Sequence, residues 1–184
     1  SPDQAYASVA AITNEIRFGW YIRSLHKWSS NLMIIAVFLH LLRLYFTGAY
    51  RHPRQLNWCI GIALLGTTMA FGFTGYSLVY EQLSYWGATV AANLAEATPL
   101  IGPYIAHFMR GGTEIGANTL TRFFILHIGV LPTAVFILLG LHVTLIRLHG
   151  VTELHFEDEE VKAEHRHFRF FPEHVTTERS EERR

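Results

Sequence analysis

Residues 121–147 read TRFFILHIGVLPTAVFILLGLHVTLIR. From Phe123 to Ile146 there is no Asp, Glu, Lys or Arg, a length that crosses a bilayer as a helix. Two histidines, His127 and His142, lie inside it, 15 residues apart. On an α-helix that spacing puts them about 60° apart around the axis and roughly 22 Å apart along it. Ionisable side chains at membrane depth are costly and mark function by default. An earlier segment repeats the pattern. His26 and His40 are 14 residues apart, about 40° around a helix and roughly 21 Å along it. Two pairs at nearly equal spacing point to two groups stacked across a membrane, each held by one histidine from each helix.

The rest of the chain fits around these segments. It has 184 residues, half of them apolar, and the apolar content sits in three long runs with polar ends. This is one membrane unit with a polar tail. The formal net charge is zero, so a nucleic-acid partner is not expected. The single cysteine, Cys59, excludes an internal disulfide framework and an iron–sulfur cluster held by four cysteines of this chain. Residues 1–11 have neither the basic start nor the apolar core of a signal peptide.

In chain order, residues 1–22 are expected to form an interfacial amphipathic segment with Ala7, Val9, Ala10, Ile12, Ile16 and Trp20 on one face. Spans are expected at 23–46, 56–80 and 120–147, with Pro132 kinking the last. The second span carries Gly61 and Gly75, again 14 apart. They would let it approach a flat group at two depths, or serve ordinary small-residue packing between membrane helices. Residues 81–119 form a long loop with helical pieces. Residues 150–184 form a polar tail whose histidines (His155, His165, His167, His174) read as solvated. The domain boundaries are therefore 1–22, 23–149 and 150–184.

Spans one and three run parallel because one span separates them. The first histidine of each must then share a depth, and so must the second. His26 pairs with His127, and His40 with His142. Arg43, Arg51, Arg54 and Arg147 gather on one side, which the positive-inside rule makes cytoplasmic. Two cross-helix pairs of neutral imidazoles suit haem iron held by two histidines. Zinc would want four ligands around one point, and a proton relay would need no matched spacing. Without a CxxCH motif, covalent c-type attachment is not indicated. Arg23, one turn before His26, and Arg43, three residues after His40, could reach haem propionates or simply anchor the interface.

FGWYIRSLHKWSSN (18–31), GYSLVYEQLSYWGATV (75–90) and TLTRFFILH (119–127) resemble motifs of cytochrome b. That family supplies the haem subunit of quinol:cytochrome c reductases of bc1 or b6f type. The resemblance runs over residues 5–150 and is nearest to the cytochrome b6 branch, which also has 14 residues between its second pair of histidines. It implies an all-α membrane bundle with three of the family's four haem-bundle helices, the first not being in this sequence, plus surface helices in the 81–119 loop.

It implies two haem b groups: a low-potential one on His26 and His127 near the outer face, and a high-potential one on His40 and His142 near the cytoplasmic face. Gly61 and Gly75 become the positions of close haem packing. Tyr76, Gly87 and Ala88 would line part of the quinol oxidation site, and Arg147 would lie near the quinone reduction site. The implied reaction is quinol oxidation at the outer face, electron transfer to the inner face and quinone reduction there, coupled to proton translocation. The implied partners are a Rieske-type iron–sulfur subunit, a cytochrome c-type subunit and a chain carrying the C-terminal half of cytochrome b, in a dimeric complex. FRFFPEHV (168–175) resembles the lead-in to that second half. The chain alone is not expected to turn over. The implied location is a bacterial cytoplasmic membrane or an energy-transducing equivalent.

Two features depart from the pattern. Val79-Tyr80 stands where the family has Pro-Trp. The cysteine that binds an additional c-type haem in some relatives precedes the family's first helix, so this sequence does not decide that haem. Two other readings compete: a dihaem membrane anchor of another respiratory dehydrogenase or hydrogenase, and a non-enzymatic haem-binding assembly protein. Neither would account for the GYSL…YWGATV and TLTRFF stretches.

Overall fold

The computed structural model describes residues 2–151; the FRFFPEHV stretch and the tail histidines lie outside them. The described residues are helical, in the order α1 (Pro2–Asn14), α2 (Gly19–Phe46), α3 (Gln55–Ser77), α4 (Gln82–Glu96), α5 (Gly102–Arg110) and α6 (Ala117–His149). Helices α2, α3 and α6 are long and apolar enough to cross a membrane. Their large apolar side chains, among them Leu32, Phe38, Leu39, Phe136 and Ile137, are exposed, as a lipid-facing surface requires.

The expected spans are present with shifted ends. α2 starts at Gly19 rather than 23, because Arg23 and Lys27 sit within its first turns instead of before them, and long basic stems reach an interface from there. α3 ends at Ser77 rather than 80, because Tyr80 takes a left-handed conformation (φ 51°) that no α-helix continues through.

Between α2 and α1 the chain turns at Phe18, also left-handed (φ 61°). Gly19 then lies so close to α1 that an added Cβ would sit 1.9 Å from the Ile12 carbonyl oxygen. The buried core is at one end of the bundle, where α4 covers α3 and α6. Ala88, Ala92, Ile115 and Phe123 are buried there, with Phe73, Leu78, Tyr80, Tyr85, Met109 and Leu126 packed around them. Small residues on α4 let it lie flat, and Phe123 fills the gap with its ring 5.4 Å from that of Phe73.

Polar ties close the 81–119 region, which contains α4 and α5. Arg110 pairs with Glu96 and donates to Asn93 Oδ1 at 2.8 Å. Arg122 reaches back from α6 to donate to the Phe108 carbonyl at 2.7 Å. The Thr119 hydroxyl donates to the Arg110 carbonyl. At the other end Arg54 donates to the carbonyls of Gly150 and Val151 at 3.1 and 3.0 Å, tying the chain just past α6 to the start of α3.

α6 is not a plain α-helix. Leu126–Val130 form one π-helical turn, in which the Leu131 N–H bonds to the Leu126 carbonyl. Pro132 explains the location. It has no N–H to offer the Ile128 carbonyl, and its ring would crowd that carbonyl in a regular α-helix. The sequence expects a kink at Pro132; what the structure has is a widened turn just before it.

Candidate functional site

The structure brings His26 of α2 against His127 of α6, with ring centroids 6.1 Å apart and planes at 83°. It brings His40 against His142, with centroids 6.4 Å apart and planes at 74°. The π turn explains how 14 residues on α2 match 15 on α6. A hydrogen bond spanning five residues instead of four takes one extra residue into the turn. The 15 steps from His127 to His142 therefore advance about as far as 14 steps of regular helix, roughly 21 Å. His127 lies in that turn.

Each pair faces α3. A Cβ added at Gly75 would lie 2.7 Å from His127 Cε1, and one at Gly61 would lie 3.7 Å from His142 Cε1. The two glycines clear the two imidazoles of α6, and Gly75 is the tighter of the two. Around His127, the Phe71 ring meets the imidazole edge-on at 5.3 Å between centroids. The Thr74 hydroxyl lies 3.1 Å from His127 Nδ1. With Nδ1 engaged by α3, Nε2 is the nitrogen left for a ligand. The separations fit one metal atom per pair. Bonds of about 2 Å from a metal to two imidazoles put the nitrogens about 4 Å apart and the ring centroids a little over 6 Å apart. Among the described residues there is no cluster of three or more His, Cys, Asp or Glu able to hold a metal ion, so each position offers two protein ligands.

A cavity of about 320 Å³ opens beside the second pair, bounded by His40, Arg43, Arg54, Asn57, Gly61 and His142 among others. Arg43 thus stands at the His40/His142 position, joined by Arg54, which the sequence places only among the basic residues of that side. Arg147 lies on the last turn of α6, next to Ile146, which lines the same cavity. Arg23 is turned to α1, where it donates to Thr13 Oγ1 at 3.0 Å. Tyr76 and Gly87 come together at the α3–α4 corner, a Gly87 Cβ position lying 3.9 Å from the Tyr76 ring. Tyr76 is exposed there, while Ala88, next along the chain, is buried in the core.

A family model described as cytochrome b/b6/petB matches residues 1–150. The chain belongs to the cytochrome b/b6 family. Its relatives include the cytochrome b6 of Heliomicrobium gestii, 48% identical over 153 residues that make up 83% of this chain and 72% of that one. The cytochrome b6 of a Synechocystis strain is 44% identical over 149 residues, 81% of this chain and 67% of that one. Among solved structures, a chain of a hyperthermophilic respiratory Complex III superposes with a TM-score of 0.81 at 28% identity. The match takes in 98% of this chain and 49% of the other, so this chain spans about half the length of that structure. Within the family, the three apolar helices make this an integral membrane protein.

Sequence reasoning missed Thr74, Phe71 and Arg54. Arg54 was legible only as one of the basic residues gathered on one side. Thr74 had a signal that went unread: it directly precedes Gly75, the glycine already singled out.

Proposed function

We propose that this chain is the dihaem cytochrome b subunit of a quinol:cytochrome c oxidoreductase. In that reading His26 and His127 hold one haem b, His40 and His142 hold the other, and bound haem supplies one-electron chemistry at two depths of the membrane. The observation that carries the reading is the pairing of four histidines across α2 and α6 at separations that admit one metal atom each. Gly61 and Gly75 of α3 lie alongside.

The chain's own groups do three things. The His127 imidazole is oriented by α3, whose Thr74 hydroxyl meets its Nδ1 edge. The apolar faces of α2, α3 and α6 flank the two positions. Arg43 and Arg54, both on the cavity beside the second pair, offer charge-assisted donors to carboxylates such as haem propionates.

The Tyr76–Gly87 corner is the candidate wall for quinol oxidation, and the end of the bundle carrying Arg147 is the candidate region for quinone reduction. The relatives named cytochrome b6 and the Complex III neighbour support placing the subunit in a proton-translocating complex of an energy-transducing membrane such as a bacterial cytoplasmic membrane. Its partners there are a Rieske-type iron–sulfur subunit, a cytochrome c-type subunit and a chain supplying the C-terminal half of cytochrome b, in a dimer.

The test is quinol-driven reduction of a c-type cytochrome by the purified complex, with and without an inhibitor of the outer quinol site. Inhibitor-sensitive reduction supports the reading. A complex that carries two haems but reduces no c-type cytochrome would favour a dihaem anchor of another respiratory enzyme.

A further inference from the structure

The two histidine positions share a plan, and α3 differs between them at the residue before each glycine. Each is faced by a glycine, Gly75 at the first and Gly61 at the second. The residue before Gly75 is Thr74, and the residue before Gly61 is Ile60. Thr74 is 3% exposed, and its Oγ1 lies 3.1 Å from His127 Nδ1. Its single hydrogen is directed back along α3, to the Ala70 carbonyl at 2.7 Å or the Phe71 carbonyl at 3.3 Å. A hydroxyl has one hydrogen and two acceptor lone pairs. Having donated to the backbone, Oγ1 can only accept from the imidazole. In that arrangement the His127 proton sits on Nδ1 and Nε2 is left bare.

The backbone offers both α6 imidazoles a carbonyl, Phe71 at the first position and Asn57 at the second; only the first adds a side-chain hydroxyl. His142 Nδ1 is buried, turned toward the Asn57 backbone, and makes no hydrogen bond of good geometry. Ile60 has nothing to offer it. Asn57 Oδ1 is likewise buried without a partner.

We propose that Thr74 is a positioning residue that fixes the tautomer of His127 and makes it the more basic of the two α6 ligands. An Nδ1–H that donates to an acceptor pushes electron density toward Nε2 and raises ligand basicity. A more basic ligand stabilises ferric over ferrous iron, and hydrogen bonding around the ligands is one of the protein's means of setting haem potential. Thr74 thereby lowers the potential of the haem on His26 and His127 relative to the haem on His40 and His142. The difference between the two sites is written into α3 as Thr74 against Ile60. This inference rests on the dihaem reading above.

The test is redox potentiometry of each b-type component in the assembled complex, comparing wild type with Thr74→Val, Thr74→Ala and Thr74→Ser. Thr74→Val keeps the shape and removes the hydroxyl, whereas Thr74→Ser keeps the hydroxyl. The expected result is a rise in the component assigned to His127 in the Val and Ala variants. The rise should be on the order of a tenfold loss of ferric preference, equivalent to about 59 mV for a one-electron couple. The Ser variant should stay near wild type, and the other component should be unmoved in all three.

A shift in Ser equal to that in Val would overturn the proposal, since packing alone would then be responsible. So would equal movement of both components, or none. If Val loses the haem altogether, Ser decides: retention at the wild-type potential supports the proposal and loss overturns it. A wild-type complex with a single b-type component would instead overturn the dihaem reading itself.

Discussion

Replacing Gly75 with alanine is a sharp steric perturbation at the first histidine pair. The added Cβ would lie 2.7 Å from His127 Cε1, 3.3 Å from Nδ1 and 3.4 Å from Nε2. Ordinary contact begins near 3.4 Å, so the ring must retreat by about 0.7 Å, the difference between 3.4 and 2.7. It has little room to do so. The Phe71 ring packs against it, Thr74 holds Nδ1, and a bond from Nε2 to iron would fix the remaining edge. Overpacking of this kind costs about 1–3 kcal/mol, or a roughly 5- to 150-fold weaker hold on the first haem. Gly61→Ala is the matched control. Its Cβ would lie 3.7 Å from His142 Cε1, an ordinary contact that requires no movement. The assay is haem content and reduced-minus-oxidised spectra of the purified complex. The expected outcome is that Gly75→Ala depletes or shifts its component more strongly than Gly61→Ala affects the other. If Gly75→Ala retains both at wild-type content and potential, or the two alanine variants behave alike, the steric reasoning fails.

Two further outcomes follow from the core and the α3–α4 corner. Phe123, 2% exposed against Phe73, should cost about 3–5 kcal/mol when cut to alanine. That would lower the thermal midpoint of the complex by on the order of 10 °C, and an unchanged melting curve would show that this core does not hold α4 to α6. Gly87→Leu should cover the Tyr76 ring and slow quinol oxidation on the order of tenfold, by about 1–3 kcal/mol of crowding, while both haem potentials stay at wild type. Full activity in that variant would remove the corner from the oxidation site.

Most of the architecture was legible because hydrocarbon imposes it. A run such as Phe123–Ile146 without a formal charge has few folds open to it, and parallel spans force His26 toward His127 and His40 toward His142. The helix ends were less legible. Gly19 and Ser77 bound α2 and α3 through local turns at Phe18 and Tyr80, where bulky residues adopt left-handed backbone that composition does not announce. The π turn at Leu126–Val130 was legible only as a disturbance near Pro132. Its consequence, equalising a 15-residue and a 14-residue spacing, needs the backbone itself. Thr74 was marked in the sequence only by its place before Gly75, and its role depends on where its one hydrogen goes, which the sequence does not show. Arg23, one helical turn before His26, also donates to Thr13 of α1, a contact that its position in the sequence does not announce.

The central claim is that two haems are held by two cross-helix pairs. A redox-titrated visible spectrum of the assembled complex, recorded for wild type and for His26→Leu, His40→Leu, His127→Leu and His142→Leu, tests it most directly. The account predicts two b-type components in the wild type. His26→Leu and His127→Leu should lose the same one, and His40→Leu and His142→Leu should lose the other. A single component in the wild type, or loss of different components on substituting His26 and His127, would contradict it.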